Sequence, residues 1–140
     1  PLLVHTKILR DLFMEEPFNK NHFQELEKLD VAIVGLGLLD AILPTTSDTW
    51  YNFAVEREEL KKNVIGDICG RFIDENNQVA NVDIQSRTIS IDLNNLKNIP
   101  YCIAVACGRK KKHIARAAIK GGFVNVLMTD EALARALLED

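Results

Sequence analysis

The chain is poor in the features that mark specialised protein classes. Its 140 residues hold only three cysteines. Cys69, Cys102 and Cys107 form an odd set with no close pairing motif, so a disulfide scaffold is excluded and a reducing compartment, the cytoplasm, is expected. No apolar run approaches the ~20 residues of a membrane-spanning helix, and PLLVHTKILR has no signal-peptide layout. There is no global excess of positive charge: the formal net charge is −3 and the pI about 5.6, so any basic feature is local. Internal repeats, heptads, low-complexity linkers, a dinucleotide fingerprint and a P-loop are also missing.

What remains is one globular domain, 47% hydrophobic and 26% charged, long enough to bury a core. A chain that begins at Pro1 without an initiator methionine reads as a processed chain or as a piece cut from a longer polypeptide.

Ile8, Leu9, Leu12 and Phe13, then Phe23, Leu26 and Leu29, recur at helical spacing with a break at Pro17, which predicts two amphipathic helices. DVAIVGLG, Asp30 to Gly37, is apolar throughout and ends in glycines, the pattern of a central parallel strand covered on both faces. Leu38 to Asp48 turns to loop composition, and a short helix is expected around Glu56 to Lys62. VIGDICGRFIDENNQVANVDIQSRTISI reads as an antiparallel excursion with a turn at ENNQ. The last third alternates strand, helix, strand, helix: YCIAVAC, RKKKHIARAAIK stopped by GG, FVNVLMT and DEALARALLED. Ile114, Ala117 and Ala118 give the first of these helices its buried stripe, and Leu133, Ala136 and Leu137 the second, with Thr129 as the expected cap. The predicted class is α/β: an open, largely parallel sheet flanked by helices, with a small antiparallel excursion.

Two stretches can carry chemistry. In the first, Gly108 is followed by Arg109, Lys110, Lys111 and Lys112, cations placed where a helix dipole is already positive and acids are favoured. An exogenous anion at this strand-to-helix turn would resolve the conflict; solvated surface lysines are the competing reading. The turn at Gly35, Leu36 and Gly37 also lies at the carboxyl end of a buried strand, where open α/β sheets bind ligands. In the second stretch, VIGDICGRF, Asp67 follows Gly66 and precedes Gly70 by three residues. Such a carboxylate can accept sugar hydroxyls or simply bond its own backbone. Metal binding and nucleophilic catalysis find no support: Cys102 and Cys107 point opposite ways, His5 and His22 read as surface residues, His113 stands alone, and no Ser or Cys has a base partner. Trp50 and Tyr51 read as a ligand-stacking pair or as a core or interface anchor.

The order of VIGDICGRF, the run from Arg87 to Pro100, IAVACGRKKKHIARAAIKGG and NVLMTDEALARALL resembles the effector-binding domain of SorC-type bacterial transcriptional regulators of sugar catabolism. The resemblance spans almost the whole chain and implies a fold similar to phosphosugar isomerases and CoA transferases. It implies the sensing of a phosphorylated sugar, with no catalysis and no cofactor. Residue by residue, it places a phosphate contact on Lys111 with Gly108 before it, where Cys107 stands in for the family's first glycine, and a ligand contact on Asp67. Gly35, Gly37 and Gly66 complete the candidate ligand set.

In such regulators a helix-turn-helix domain and the first part of the effector domain precede this region. Residues 1–140 are therefore expected to be one domain, the C-terminal portion of an effector-binding domain. It would form homo-oligomers and meet DNA only through the parent protein. A phosphosugar isomerase or deaminase-like enzyme, and a subunit-association module without ligand, are the alternatives.

Overall fold

The computed structural model describes residues 2–39 and 53–139. The chain enters through a short strand β1 (Leu2–Leu3) and two helices, α1 (Lys7–Glu15) and α2 (Pro17–Leu26). Thr6 caps α1 by accepting the Leu9 N–H at 3.1 Å. Pro17 occupies the first turn of α2, where its missing N–H is harmless, so the predicted break is a helix start. β2 (Val31–Leu38) follows, and after it α3 (Phe53–Asn63), the hairpin β3 (Gly66–Ile68) and β4 (Arg71–Ile73), a helical turn α4 (Asp83–Ser86), β5 (Thr88–Ile89) and α5 (Leu93–Leu96). The last third is β6 (Tyr101–Ala106), a 3₁₀ turn at Arg109–Lys111, α6 (Lys112–Lys120), β7 (Val126–Thr129) and α7 (Glu131–Leu138). The predicted loop stretch proves to belong to β2 at Leu38; its residues 40–48, together with Trp50 and Tyr51, lie outside the described residues.

Five strands form one mixed sheet in the order β4-β3-β2-β6-β7. β2, β6 and β7 run parallel, and β3 and β4 join antiparallel, as the alternation of β-branched runs with turn residues leads one to expect. β1 pairs separately with β5. One face of the sheet carries Val34, Leu36, Cys102, Ala104 and Ala106, all buried beneath α6 and α7. Small side chains make that contact close: Ala115, Ala117 and Ala118 are almost solvent-free, and so are Ile114 and Leu133. Each large aliphatic buried this way contributes about 1.5–3 kcal/mol relative to exposure. A second cluster, Leu60, Val64, Phe72, Ala80, Val82 and Ile84, fills the space beneath α3 and the hairpin.

The other face departs from the expectation of a strand covered on both sides. In register, Val31 stands beside Tyr101, Ile33 beside Ile103 and Ile103 beside Val126, while Gly35 stands beside Val105 and Val105 beside Met128. Together they make an apolar strip across three strands. Among the described residues nothing covers it: Ile33 is 72% exposed and Met128 58%. An all-apolar run is the pattern of a parallel strand built for two covered faces; here the described residues cover one of them.

α6 ends as the glycine pair predicts. Gly122 takes the left-handed conformation at φ 71°, its N–H reaches the Ile119 carbonyl, and Phe123 N–H reaches Ala118, the double bond of a Schellman stop. The cap of α7 is a correction. Asp130, not Thr129, accepts the Leu133 N–H, at 2.9 Å. Its carboxylate sits in the capping position directly before Glu131, whereas Thr129 still belongs to β7.

Candidate functional site

The hairpin geometry creates the first half of the site. Only Cys69 and Gly70 separate β3 from β4, and both have positive φ, 55° and 75°, as a two-residue turn matching the strand twist demands. Asp67 locks this turn: its Oδ2 accepts the Gly70 N–H at 2.8 Å. Cys69, which has a Cβ and favours this conformation less, is further held through its carbonyl by the Ser90 hydroxyl.

Antiparallel pairing sets Asp67 directly beside Gly37. A Cβ at position 37 would fall 1.7 Å from Asp67 Oδ1, so the carboxylate occupies the space that the glycine leaves free. Burial pushes the Asp67 carboxyl above the ordinary carboxylate range, opposed more weakly by the Gly70 N–H and by the positive charge of Lys111.

Lys111 supplies the second half. It lies in the 3₁₀ turn between β6 and α6, and its Nζ donates to the Leu36 carbonyl at 2.7 Å. β6 pairs with β2 only as far as Gly35, so Lys111 reaches across just where the two strands part. A single carbonyl uses one of the three ammonium donors. The result is an ammonium and a half-buried carboxylate at the carboxyl end of β2, charged groups that feel one another without a direct ion pair.

The other predicted residues divide. Gly37 belongs to this cluster. Gly66 faces the helix layer instead: a Cβ there would meet the Gly37 carbonyl at 2.5 Å and Ile114 at 2.8 Å, so its smallness lets α6 close on the hairpin. Gly35 lies on the open sheet face with nothing within 4 Å of a Cβ. Gly108 takes φ 89°, which a residue with a side chain rarely adopts, and its N–H is already committed to Asp130, at 3.1 Å to Oδ1 and 3.2 Å to Oδ2. Those two backbone bonds, from Gly108 and Leu133, hold the Asp130 carboxyl below its ordinary value.

The basic run has internal partners. Arg109 pairs with the Glu139 carboxylate at 2.6 Å, Lys112 donates to the Glu139 carbonyl at 2.6 Å, and Arg116 reaches the Leu137 and Glu139 carbonyls at 3.1 and 3.3 Å. These carbonyls are the negative end of α7, so much of the apparent conflict at the start of α6 is resolved by a neighbouring helix rather than by an exogenous anion. Lys111 turns the other way, to β2. Lys110 is exposed and engaged by no described residue.

The sequence reading missed two positions here. Asp130 registered only as a favourable acid at a helix start, because its second contact is made across 22 residues. Arg71 went unremarked, yet it is 8% exposed and donates to the carbonyls of Gln85, Ser90 and Ile91 at 2.9, 3.0 and 3.3 Å. It welds α4 and the segment that follows β5 to the hairpin carrying Asp67. Among the described residues no group of three or more His, Cys, Asp or Glu side chains is placed to hold a metal ion, and no helix is long and apolar enough to cross a membrane.

Comparison with known proteins adds independent evidence. The family described as "Putative sugar-binding domain" matches residues 1–139. The sorbitol operon regulator of Klebsiella pneumoniae is 31% identical over 99% of this chain, which covers 44% of that protein. The deoxyribonucleoside regulator of Bacillus subtilis is 39% identical over 61% of the chain and is covered over 27% of its own length. Among solved structures, the "Putative Sugar-Binding Domain" of a transcriptional repressor from Vibrio fischeri superposes with a TM-score of 0.90 at 28% identity, covering 99% of this chain and 55% of that one. The full-length sorbitol operon regulator SorC from Klebsiella pneumoniae gives 0.83 at 30% identity, with coverages of 99% and 45%. The chain thus spans less than half the length of these curated relatives. With the family matched over all but its last residue and the fold shared along 99% of its length, this chain belongs to the sugar-binding domain family of bacterial transcriptional regulators of the sorbitol operon regulator type.

Proposed function

We propose that this chain is the effector-sensing part of a sugar-responsive transcriptional regulator and that its effector is a phosphorylated sugar. The observation that carries the reading is the Lys111 ammonium, held 2.7 Å from the Leu36 carbonyl at the carboxyl end of β2 with Asp67 beside it. Lys111 keeps donors for a phosphate, and the first N–H groups of the turn that carries it add to the attraction. Asp67 Oδ1, facing the space above Gly37, accepts a hydroxyl of the sugar. Gly35 leaves the backbone of β2 accessible to the ring, Gly37 makes room for the Asp67 carboxylate, and Gly66 and Gly108 set the backbone on either side.

A sensor of this kind needs no acid–base pair, and Asp67 is the only carboxylate at the cluster among the described residues. The curated relatives are regulators, which supports sensing over turnover. Ligand binding would act by favouring one of two assembly states of a cytoplasmic homo-oligomer, with operator contact made elsewhere in the parent protein.

Thermal unfolding in the presence of glucose 6-phosphate, fructose 6-phosphate and pentose 5-phosphates, against the unphosphorylated sugars, tests this directly. A ligand at 100 times its dissociation constant adds about 2.7 kcal/mol of stability. Stabilisation by a phosphorylated sugar alone, abolished in Lys111→Ala, is the expected result. Equal response to the free sugar would remove the phosphate from the reading, and no response to any of them would overturn it.

A further inference from the structure

The residue that sets the pose of Lys111 lies on a different element. α7 touches the 3₁₀ turn at both of its ends. At its N-terminus, Asp130 Oδ1 accepts the Leu133 N–H at 2.9 Å and the Gly108 N–H at 3.1 Å, so one oxygen joins the helix cap to the turn. At its C-terminus, Arg109 and Lys112, which flank Lys110 and Lys111, hold the Glu139 side chain and carbonyl. Residues 108–112 are thus pinned on one side to a helix whose Leu133 and Ala136 are buried in the core. Lys111 is the one cation of the turn that reaches to the opposite side, onto β2. A turn braced on one flank presents its remaining side chain in one direction.

We propose that α7 is the strut that orients Lys111, with Asp130 as its positioning residue. Asp130 does not touch the ligand; it fixes Gly108 at φ 89° and with it the direction in which the turn leaves β6. This rests on the sugar-phosphate reading for its use, but the placement itself can be tested without any ligand.

Two substitutions separate the helix cap from the brace. Ser caps a helix about as well as Asp, but its single, shorter oxygen cannot also reach Gly108. Asn retains the Oδ1 that accepts both N–H groups. In the native protein the Gly108 amide is expected to exchange with solvent more slowly than the Lys110 amide. Acylation of Lys111 by an amine-reactive ester is expected to lag behind that of exposed Lys110. Asp130→Asn should preserve both differences. Asp130→Ser should melt close to the native protein, yet lose Gly108 protection and raise Lys111 labelling to the Lys110 rate. Any sugar phosphate bound by the native protein should bind Asp130→Ser about tenfold more weakly or worse, the scale expected when a contact is misplaced by about an ångström.

If Gly108 in the native protein exchanges as fast as Lys110, or if Lys111 stays slow to label in Asp130→Ser, the strut is overturned, even where Asp130→Ser proves too unstable for binding work. If Lys111 is released as expected while the native protein binds no sugar phosphate, the strut stands and the sugar-phosphate reading is what fails.

Discussion

The tightest coupling between sequence and site is between Gly37 and Asp67, and a single methyl group probes it. In Gly37→Ala the new Cβ would lie 1.7 Å from Asp67 Oδ1 and 2.8 Å from Cγ, so the carboxylate must swing away and give up the Gly70 N–H, now at 2.8 Å. Losing a hydrogen bond to a charged group costs about 1.5–3 kcal/mol. The reduced freedom of the unfolded chain returns about 0.4–1 kcal/mol. The net expectation is a destabilisation of about 1–2 kcal/mol, or roughly 3–6 °C in melting temperature for a domain of this size. Gly35→Ala, with open space over it, is the matched control and should be neutral or slightly stabilising. Urea unfolding of the full cycle of Gly37→Ala, Asp67→Ala and the double variant isolates the interaction. With Asp67 truncated nothing remains for the methyl to strike, so Gly37→Ala should cost nothing in that background. A coupling energy under about 0.5 kcal/mol, within the scatter of independent sites, would refute the reasoning.

Three further outcomes are expected. Burial raises the Asp67 carboxyl, so between the ordinary value of 3.8 and its native value the folded state binds more protons than the unfolded chain, and this residue's contribution to stability declines as pH rises through that window. Asp67→Asn, uncharged but still able to accept from Gly70, should therefore match or exceed the native protein in stability at pH 7, with the difference closing as pH falls toward 3.8; a gap that widens on acidification would contradict the burial argument. Arg71→Lys should cost about 2–4 kcal/mol in denaturant unfolding, because a point-like ammonium cannot serve three separate carbonyls and leaves buried acceptors unpaired. On the open sheet face, Ile33→Thr and Met128→Thr should each change stability by less than about 0.5 kcal/mol, whereas Leu133→Ala, from a position with no solvent exposure, should cost about 2–5 kcal/mol; equal losses on both faces would mean that the strip is covered in solution.

The periodic parts of the fold were legible from the chain alone. The two N-terminal helices, the strand around Gly35-Leu36-Gly37 and the βαβα ending are local consequences of apolar spacing, of proline and of glycine, and each appears where that spacing puts it, whereas the antiparallel excursion was legible only as such: its tight turn at Cys69 and Gly70 and the helical turn Asp83–Ser86 were not. The family was legible as well, since four motifs in order are a property of sequence. The candidate site was only half legible. Asp67 and Lys111 stood out singly, but that both converge on the end of β2 depends on two strand pairings and a crossover.

Whatever depends on contacts distant in sequence was decided by the tertiary structure. The cap of α7 doubles as a brace for Gly108, the cations at the start of α6 are matched by the end of α7, Gly66 makes room for a helix, and one sheet face is left apolar and uncovered by the described residues. The physical reason is the same in each case. Spacing along the chain dictates which face a side chain takes, because a strand or helix repeats over a few residues. Charge matching, close approach and cover depend on what a separate element brings to that face, and no local pattern encodes that.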